Sequence, residues 1–305
     1  MTFQSRPEGV LCVGRLYCDL VMGGLSGVPA PGAEVYAADL ALAAGGGAYI
    51  TAAYLAALGR PVGLAAVLPA APFDAAIAAE LGASGVDLSA CPAAPEGAAP
   101  QLTVAMVTAG DRAFLTHRAG PAVPATVAAA IGSGRYRHLH LGELATLAEA
   151  PWVVALARDA GLTVSADCAW DAALLARSDL AALLAGVDVF LPNRTEAEAL
   201  ERHAPIARHA PLVVIKDGAA GAEAVCADLR LRRPARAGRV IDTVGAGDAF
   251  NAGFLDAWLG NASLADSLDA GARTAAVALA RAGGARGLRG ASLFGSAAGA
   301  GTAAE

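Results

Sequence analysis

Short apolar runs bounded by glycine, proline or polar residues recur along the chain and read as buried strands. Gly9–Gly14 (GVLCVG) is the first, and Pro61–Leu68 (PVGLAAVL) is the next. Arg137–Gly142, Leu162–Asp167, Val187–Asn193 and Pro211–Gly218 repeat the pattern. Between them lie stretches with helical spacing: Thr51–Leu58, stopped by Gly59 and Pro61, then Pro72–Gly85, Pro151–Gly161, Ala172–Gly186 and Arg194–Pro205. This alternation predicts an α/β fold with a mostly parallel sheet and helices on both faces. Two segments break the rhythm. Gln101–Arg118 has β-rich runs around a Gly-Asp pair and predicts a hairpin. The turn-rich Val28–Val35 predicts an excursion from the core. Excursions near 15–40 and 101–118 would pair into a small second sheet. The Gly/Ala/Ser-rich end, Gly290–Glu305, predicts a flexible tail.

Composition narrows the possibilities. The 305 residues are 56% hydrophobic and 16% charged, enough for a sizeable core. A net charge of -6 argues against a general nucleic-acid binder, which needs clustered Lys and Arg. Lys216 is the only lysine, so no Gly-Lys pair exists and a Walker A loop is excluded. The cysteines Cys12, Cys18, Cys91, Cys168 and Cys226 form no C-x-x-C pair and read as free thiols in a reducing compartment. The N-terminal stretch has no basic n-region followed by an apolar h-region, so no signal peptide is expected. Leu40–Gly59 is uncharged and long enough to raise a membrane question. Its GGG turn and alanines fit a buried helix better, and a soluble cytoplasmic protein is expected.

Chemistry is expected beyond the carboxyl ends of the strands. Asp19 follows the first strand, Asn193 and Glu196 follow Val187–Pro192, and Asp217-Gly218 follows Val213–Lys216. The stretch Val240–Leu255 (VIDTVGAGDAFNAGFL) is the most suggestive. Gly245, Ala246 and Gly247 let backbone N–H groups approach a ligand, and a helix starting near Asp248 adds its positive dipole end. Asp248 then stands beside an anion pocket, where a carboxylate can take a proton from an acceptor hydroxyl. Two plainer readings stay open: Asp248 as a helix cap, and the glycines as a dinucleotide loop, although that loop usually follows the first strand. Asn193-x-x-Glu196 likewise reads as a capping box or as a carboxylate near Mg²⁺ and its waters. Gly45, Gly46 and Gly47 suit either close approach to a ligand or a turn needing positive φ.

In order, GRLYCD, GGGAYITAAYLAALG, NRTE and DTVGAGDAFNAGFL resemble the motifs of the ribokinase-like (phosphofructokinase-B-type) carbohydrate kinases. The resemblance runs from about residue 9 to about 288, and Asp242–Leu255 is its most specific part. It implies a Rossmann-like α/β/α core with a small β-sheet lid: one kinase domain over 1–288, its lid drawn from about 15–40 and 101–118, and a tail over 289–305. It implies ATP and Mg²⁺ as cofactors. Asp248 would be the general base, with Gly245, Ala246 and Gly247 forming the anion hole. Asp19, Gly45 and Gly46 would hold sugar hydroxyls. Asn193 and Glu196 would organise Mg²⁺ and its waters, and Lys216 and Gly218 would lie along the nucleotide. Asp242 matches a position where several members bind a monovalent cation such as K⁺. The departures lie at the substrate end. Ile50 stands where the family has a substrate-contacting Asn, the Gly-x-Asp turn is replaced by LPAAPFD, Asp167–Leu175 lacks the family's Arg, and Arg273 replaces an Asn beside the nucleotide. The expected activity is ATP-dependent phosphorylation of a hydroxymethyl group on a small free sugar such as ribose or fructose. Few basic residues fall in the sugar-side segments, which argues against a phosphosugar. A nucleoside stays open because Tyr17, Tyr49 and Tyr54 offer an aromatic wall, and so does a degenerate sugar- or nucleotide-binding sensor. No nucleic-acid or membrane partner is expected, and a homodimer through the lid is.

Overall fold

Five consecutive buried positions make Gly9–Val13 (β1) a strand covered on both faces, as a parallel-sheet interior requires. In the computed structural model, residues 8–108, 112–227, 229–281, 283–288 and 293 are described. β1 leads into Tyr17–Leu25 (β2) and Asp39–Gly45 (β3), then helix Gly47–Ala57 (α1), Val62–Ala65 (β4), Phe73–Ala83 (α2), and the hairpin Leu102–Thr108 (β5) and Arg112–His117 (β6). Next come Val127–Ile131 (α3), Tyr136–Leu141 (β7), Leu144–Glu149 (α4), Trp152–Asp159 (α5), Thr163–Asp167 (β8), Ala172–Leu175 (α6) and Leu180–Leu183 (α7). Val189–Leu191 (β9), Arg194–Glu201 (α8), Leu212–Lys216 (β10), Ala222–Cys226 (β11), Leu229–Arg233 (β12), Ala246–Leu259 (α9) and Leu264–Leu279 (α10) complete the order.

The large sheet has the order β12-β11-β10-β9-β8-β7-β1-β4, parallel from β10 to β4, with β11 and β12 added antiparallel at one edge. The small sheet, β3-β2-β5-β6, is made of two antiparallel pairs joined by the parallel contact of β2 with β5. One face of the large sheet packs Leu144, Val153, Leu175 and Leu200 of α4 to α8. The other packs α1, α9 and α10 through Ala48, Ala52, Ala249, Phe254, Leu268 and Ala278. Alanine on α1 and α9 lets these helices lie close to the strands, so the carboxyl ends of β1, β7, β8, β9 and β10 and the first turn of α9 meet at one rim.

The expected architecture is therefore present, with local differences. The buried helix expected after the glycine turn in Leu40–Gly59 is α1, which begins already at Gly47, and the residues before the turn form β3, the edge of the small sheet. The helical stretch expected over 172–186 is split into α6 and α7 around Ser178 and Asp179. The β11–β12 hairpin has no counterpart in the expected elements, because it follows the turn Gly218–Gly221 without an intervening helix. All five cysteines are free. No helix among the described residues is long and apolar enough to cross a membrane. The tail expected over 289–305 lies outside the described residues except for Leu293.

Candidate active site

Gly245 is the hinge on which the site turns. Its φ of 71° is left-handed, and it caps α9, whose first residue is Ala246. A side chain here would also press on Gly284 and on Ile50, 3.0 and 3.1 Å from an added Cβ. Glycine therefore satisfies both the backbone conformation and the close packing. The turn sets the first turn of α9 against a cleft of about 680 Å³, with the Ala246 N–H held by the Thr243 carbonyl at 3.3 Å. Lining that cleft are Asp19, Gly46, Ile50, Asn193, Glu196, Lys216, Gly218, Gly245, Ala246, Gly247 and Asp248. A separate apolar recess of about 330 Å³ between 67–70, 92–101 and 119–125 contains none of them.

Asp248 sits in the first turn of α9, half-buried. Burial, with Asp167 and Asp19 adding negative charge, pushes its carboxyl up to about 7, while Lys216 pulls the other way. A carboxylate poised there takes a proton near neutral pH far better than an ordinary aspartate. Asp19 lies on β2 of the small sheet, not on the β1 loop itself. Burial and nearby Glu80 raise it to about 7 against the opposing pull of Thr103. Its carboxylate lies over Gly45, where an added Cβ would stand 2.0 Å from Oδ2, so only glycine fits beneath it. Gly46, at φ 99°, caps α1 and would collide with the Arg15 carbonyl if it carried a side chain.

The nucleotide-side candidates come from β9 and β10. Asn193 and Glu196 form a complete capping box: Asn193 Oδ1 accepts from the Glu196 N–H at 2.9 Å, and Glu196 Oε2 accepts from the Asn193 N–H at 2.8 Å. The cap aims Glu196 into the cleft, and burial together with Asp167 raises its carboxyl above the usual range. Gly218, at φ 50°, follows Asp217, which pairs with Arg194 at 3.0 Å. Lys216 Nζ lies 2.8 and 3.0 Å from the two Asp167 oxygens and 3.1 Å from Asn251 Oδ1. Burial opposes its charge, but Asp167 and Glu196 outweigh that and hold it firmly protonated.

Two candidates fall outside the cleft lining. Gly45 lies under Asp19. Asp242 spends its oxygens on the N–H groups of Val244 and Gly283, both at 2.9 Å, stitching the loop before α9 to the segment after α10. Ile50, 5% exposed, packs its methyl groups toward Gly245 and Gly284. Tyr49 and Tyr54 are fully buried and form no aromatic wall; only Tyr17 reaches the cleft, where Phe114 and Trp170 supply the exposed aromatic surface instead. Arg273 is exposed and lies outside the lining.

Several residues at the site are not foreseen by the sequence. Glu143 follows β7 and Asp167 ends β8, both on the lining, and the buried Asn251 stands three residues after Asp248 on the same face of α9. Inspecting every strand end, and the i+3 position of the helix, would have found them. The small sheet adds Thr103, Thr116, Arg112 and Arg118. Arg118 lies 3.6 Å from Glu143 and 3.6 Å from Asp171, and Arg112 donates to the Thr243 hydroxyl across the cleft.

The profile of the pfkB family carbohydrate kinases matches residues 8–289. The chain belongs to that family. It is accordingly a kinase of the sugar and nucleoside class. Solved structures with the same fold include Arabidopsis thaliana ribokinase complexed with ribose and ATP, at 20% identity and TM-score 0.77, covering 95% of this chain and 98% of that one. Methanocaldococcus jannaschii nucleoside kinase matches at 19% identity and TM-score 0.76, covering 93% and 96%. Sinorhizobium meliloti adenosine kinase matches at 21% identity and TM-score 0.76, covering 94% and 98%. At these identities the likeness carries the fold to this kinase, and the choice between sugar and nucleoside rests on its own side chains.

Proposed function

We propose that this kinase transfers the terminal phosphoryl group of ATP to a hydroxymethyl group of a small uncharged sugar such as ribose or fructose, with Asp248 as general base. The observation that carries this reading is the junction at Gly245: the backbone N–H groups of Gly245 and Gly247, with that of Ala246 held by the Thr243 carbonyl at 3.3 Å, adjoin a carboxylate whose proton affinity burial has raised to about 7. The acceptor hydroxyl gives its proton to Asp248 as its oxygen attacks phosphorus. The N–H groups and dipole of α9 meet the charge that builds on the phosphoryl oxygens. Asp19 on the small sheet accepts hydrogen bonds from sugar hydroxyls, and Gly45 and Gly46 allow the ring to approach the backbone. Ile50 supplies an apolar wall where an amide contact would otherwise be.

The polar groups at the sugar end favour an uncharged substrate. Arg118 and Arg15 are the positive charges beside Tyr17; Glu143 and Asp171 flank Arg118 on two sides, and Arg15 is paired with Glu149. A phosphosugar would meet more negative than positive charge there, whereas hydroxyls find both donors and acceptors. The exposed faces of Phe114 and Trp170 favour a second reading, a nucleoside whose base stacks between them.

A hard oxygen donor fits Mg²⁺ on the nucleotide side, since Glu196 faces the cleft. Among the described residues no group of three or more His, Cys, Asp and Glu is arranged to hold a metal by itself. The ion would thus arrive with ATP, held through Glu196 and waters, and would screen phosphate charge. Gly218 and Asn193 line the remaining nucleotide wall. A K⁺ ion at Asp242 would share oxygens already bonded to two backbone N–H groups. We place residues 1–288 in one kinase domain whose small sheet serves as the lid. Measuring ATP turnover with ribose, fructose, adenosine and fructose 6-phosphate tests the substrate reading. Turnover with a free sugar supports it, turnover with adenosine alone selects the nucleoside reading, and turnover only with the phosphosugar contradicts both.

A further inference from the structure

Beside Asp248 lies a closed set of buried polar groups that proton abstraction does not itself use. The three N–H donors of Lys216 face Asp167 Oδ1, Asp167 Oδ2 and Asn251 Oδ1 at 2.8, 3.0 and 3.1 Å. Asn251 closes the ring by donating to Asp167 Oδ2 at 2.6 Å. The three residues come from the end of β8, the end of β10 and the second turn of α9, so the ring ties that helix to two strand ends. An added Cβ on Gly247 would stand 3.6 Å from Lys216 Nζ, which puts the ammonium against the backbone of the anion pocket.

We propose that Asp167 and Asn251 are positioning residues for phosphoryl transfer: they hold the Lys216 ammonium beside the anion pocket and keep it from pairing with Asp248. The inference rests on the reading of Asp248 as base. Its physical content is a competition for one cation. The groups acting on Asp248 are Asp167 from β8, Lys216 from β10, Asp19 from β2 and the Tyr54 phenol from α1. Among these, Lys216 alone carries positive charge, and Lys216 is the only lysine in the chain. Released from Asp167, it would be free to turn toward Glu196 or Asp248, the other two carboxylates that act on it, and an ion pair with Asp248 would make the base weaker. Held by three acceptors, it lends positive field to the phosphate site without taking the base's lone pair. Asn251 gives the ring its direction, because its carbonyl faces Lys216 while its amide faces Asp167.

Having a single lysine makes the test direct. In protein labelled with ¹⁵N-lysine, one ammonium signal is expected, visible at neutral pH because a buried, triply bonded ammonium exchanges its protons slowly. Asp167→Asn and Asn251→Ala should each erase or strongly displace it. With ribose as acceptor, or adenosine if ribose is not turned over, Asp167→Asn should lower kcat about tenfold or more. It should leave the acceptor KM within about threefold and move the acidic limb of the kcat–pH profile down by about one unit. Asn251→Ala should move the limb the same way by less, and it carries the kinetic test if Asp167→Asn does not fold. An ammonium signal that survives both substitutions overturns the proposal, as does an acidic limb that stays put or moves up. Asp248→Asn is measured in parallel. If it keeps wild-type turnover, the base reading itself has failed. If it is inactive while the limb in Asp167→Asn stays put, only the positioning role has failed.

Discussion

At the scale of single residues, the site is a collection of groups held in states that cost stability. Asp248 and Asp19 both bind protons more tightly in the folded protein than an ordinary aspartate does, each at about 7. A carboxylate with a raised folded pKa favours folding at low pH, and that advantage is lost as pH rises through the folded value. At pH 8 both groups are ionised against burial, so Asp248→Asn should stabilise the protein by about 1–2 kcal/mol. Denaturant titrations at pH 8 and pH 4 check this: the gain should be present at pH 8 and should shrink toward zero as pH falls to 4. Ile50 carries the opposite expectation. Its methyl groups pack on the Gly245–Gly284 contact, so Ile50→Asn would bury an amide there and should lower stability by about 1–3 kcal/mol. Thermal unfolding measures that loss, and an unchanged midpoint would mean that the packing is not tight. Asp248 and Gly245 were legible in the sequence because a glycine turn and an acidic residue occupy neighbouring positions. Asp167 and Asn251 were less so, because their partner Lys216 is remote in sequence and only the packing of α9 on β8 and β10 brings them together.

At the scale of elements, what matters is where helices start. The sequence offered a capping box and a metal-facing carboxylate as alternatives for Asn193 and Glu196, and the complete capping box is present with Glu196 turned to the cleft. Asn193→Ala should cost about 1 kcal/mol through the lost cap. If the cap also aims Glu196, the KM for ATP should rise several-fold more than that for the sugar, whereas equal changes would leave the cap a purely structural feature. Gly245→Ala should be worse. It forces a left-handed residue to carry a Cβ that meets Gly284 and Ile50, costing about 1–3 kcal/mol and disordering the anion pocket. Calorimetry together with kcat tests this, because the account requires both to fall. Element types were readable wherever apolar runs were bounded by turns, as in β1, β4 and β7 to β10. Reading failed where alanine dominates. In Leu40–Gly59 the same small apolar residues serve first as β3 and then as α1, and the switch is set by pairing with β2 and by Gly46, not by periodicity.

At the scale of the whole molecule, Arg15 links the two sheets. Arg15, at the end of β1, donates to Gln101 Oε1 and to the carbonyls of Ala119 and Gly120, and pairs with Glu149 at 2.7 Å. It thus pins both ends of the β5–β6 hairpin to the end of β1, while Arg112 crosses the cleft to Thr243. The small sheet exposes Leu40, Leu42 and Leu115, apolar residues along its two edge strands. If this face pairs with a second copy, as exposed sheet edges invite, wild type should sediment as a dimer and Leu115→Glu as a monomer. A monomeric wild type would remove the expectation. The α/β class, the parallel order and the second sheet were foreseeable from the chain. The sugar-side charges were not, since Arg118, Glu143 and Asp171 meet only when β6, β7 and α6 converge on the cleft.

The central claim is that Asp248 removes the proton from the acceptor hydroxyl. Its most direct measurement is the single-turnover rate of phosphoryl transfer from ATP, with ribose or adenosine as acceptor, in wild type and in Asp248→Asn with ATP binding verified by calorimetry. The account predicts bound ATP in both proteins and a rate in the variant lower by about 10²–10⁴-fold. A variant that binds ATP and transfers phosphate at the wild-type rate would contradict it.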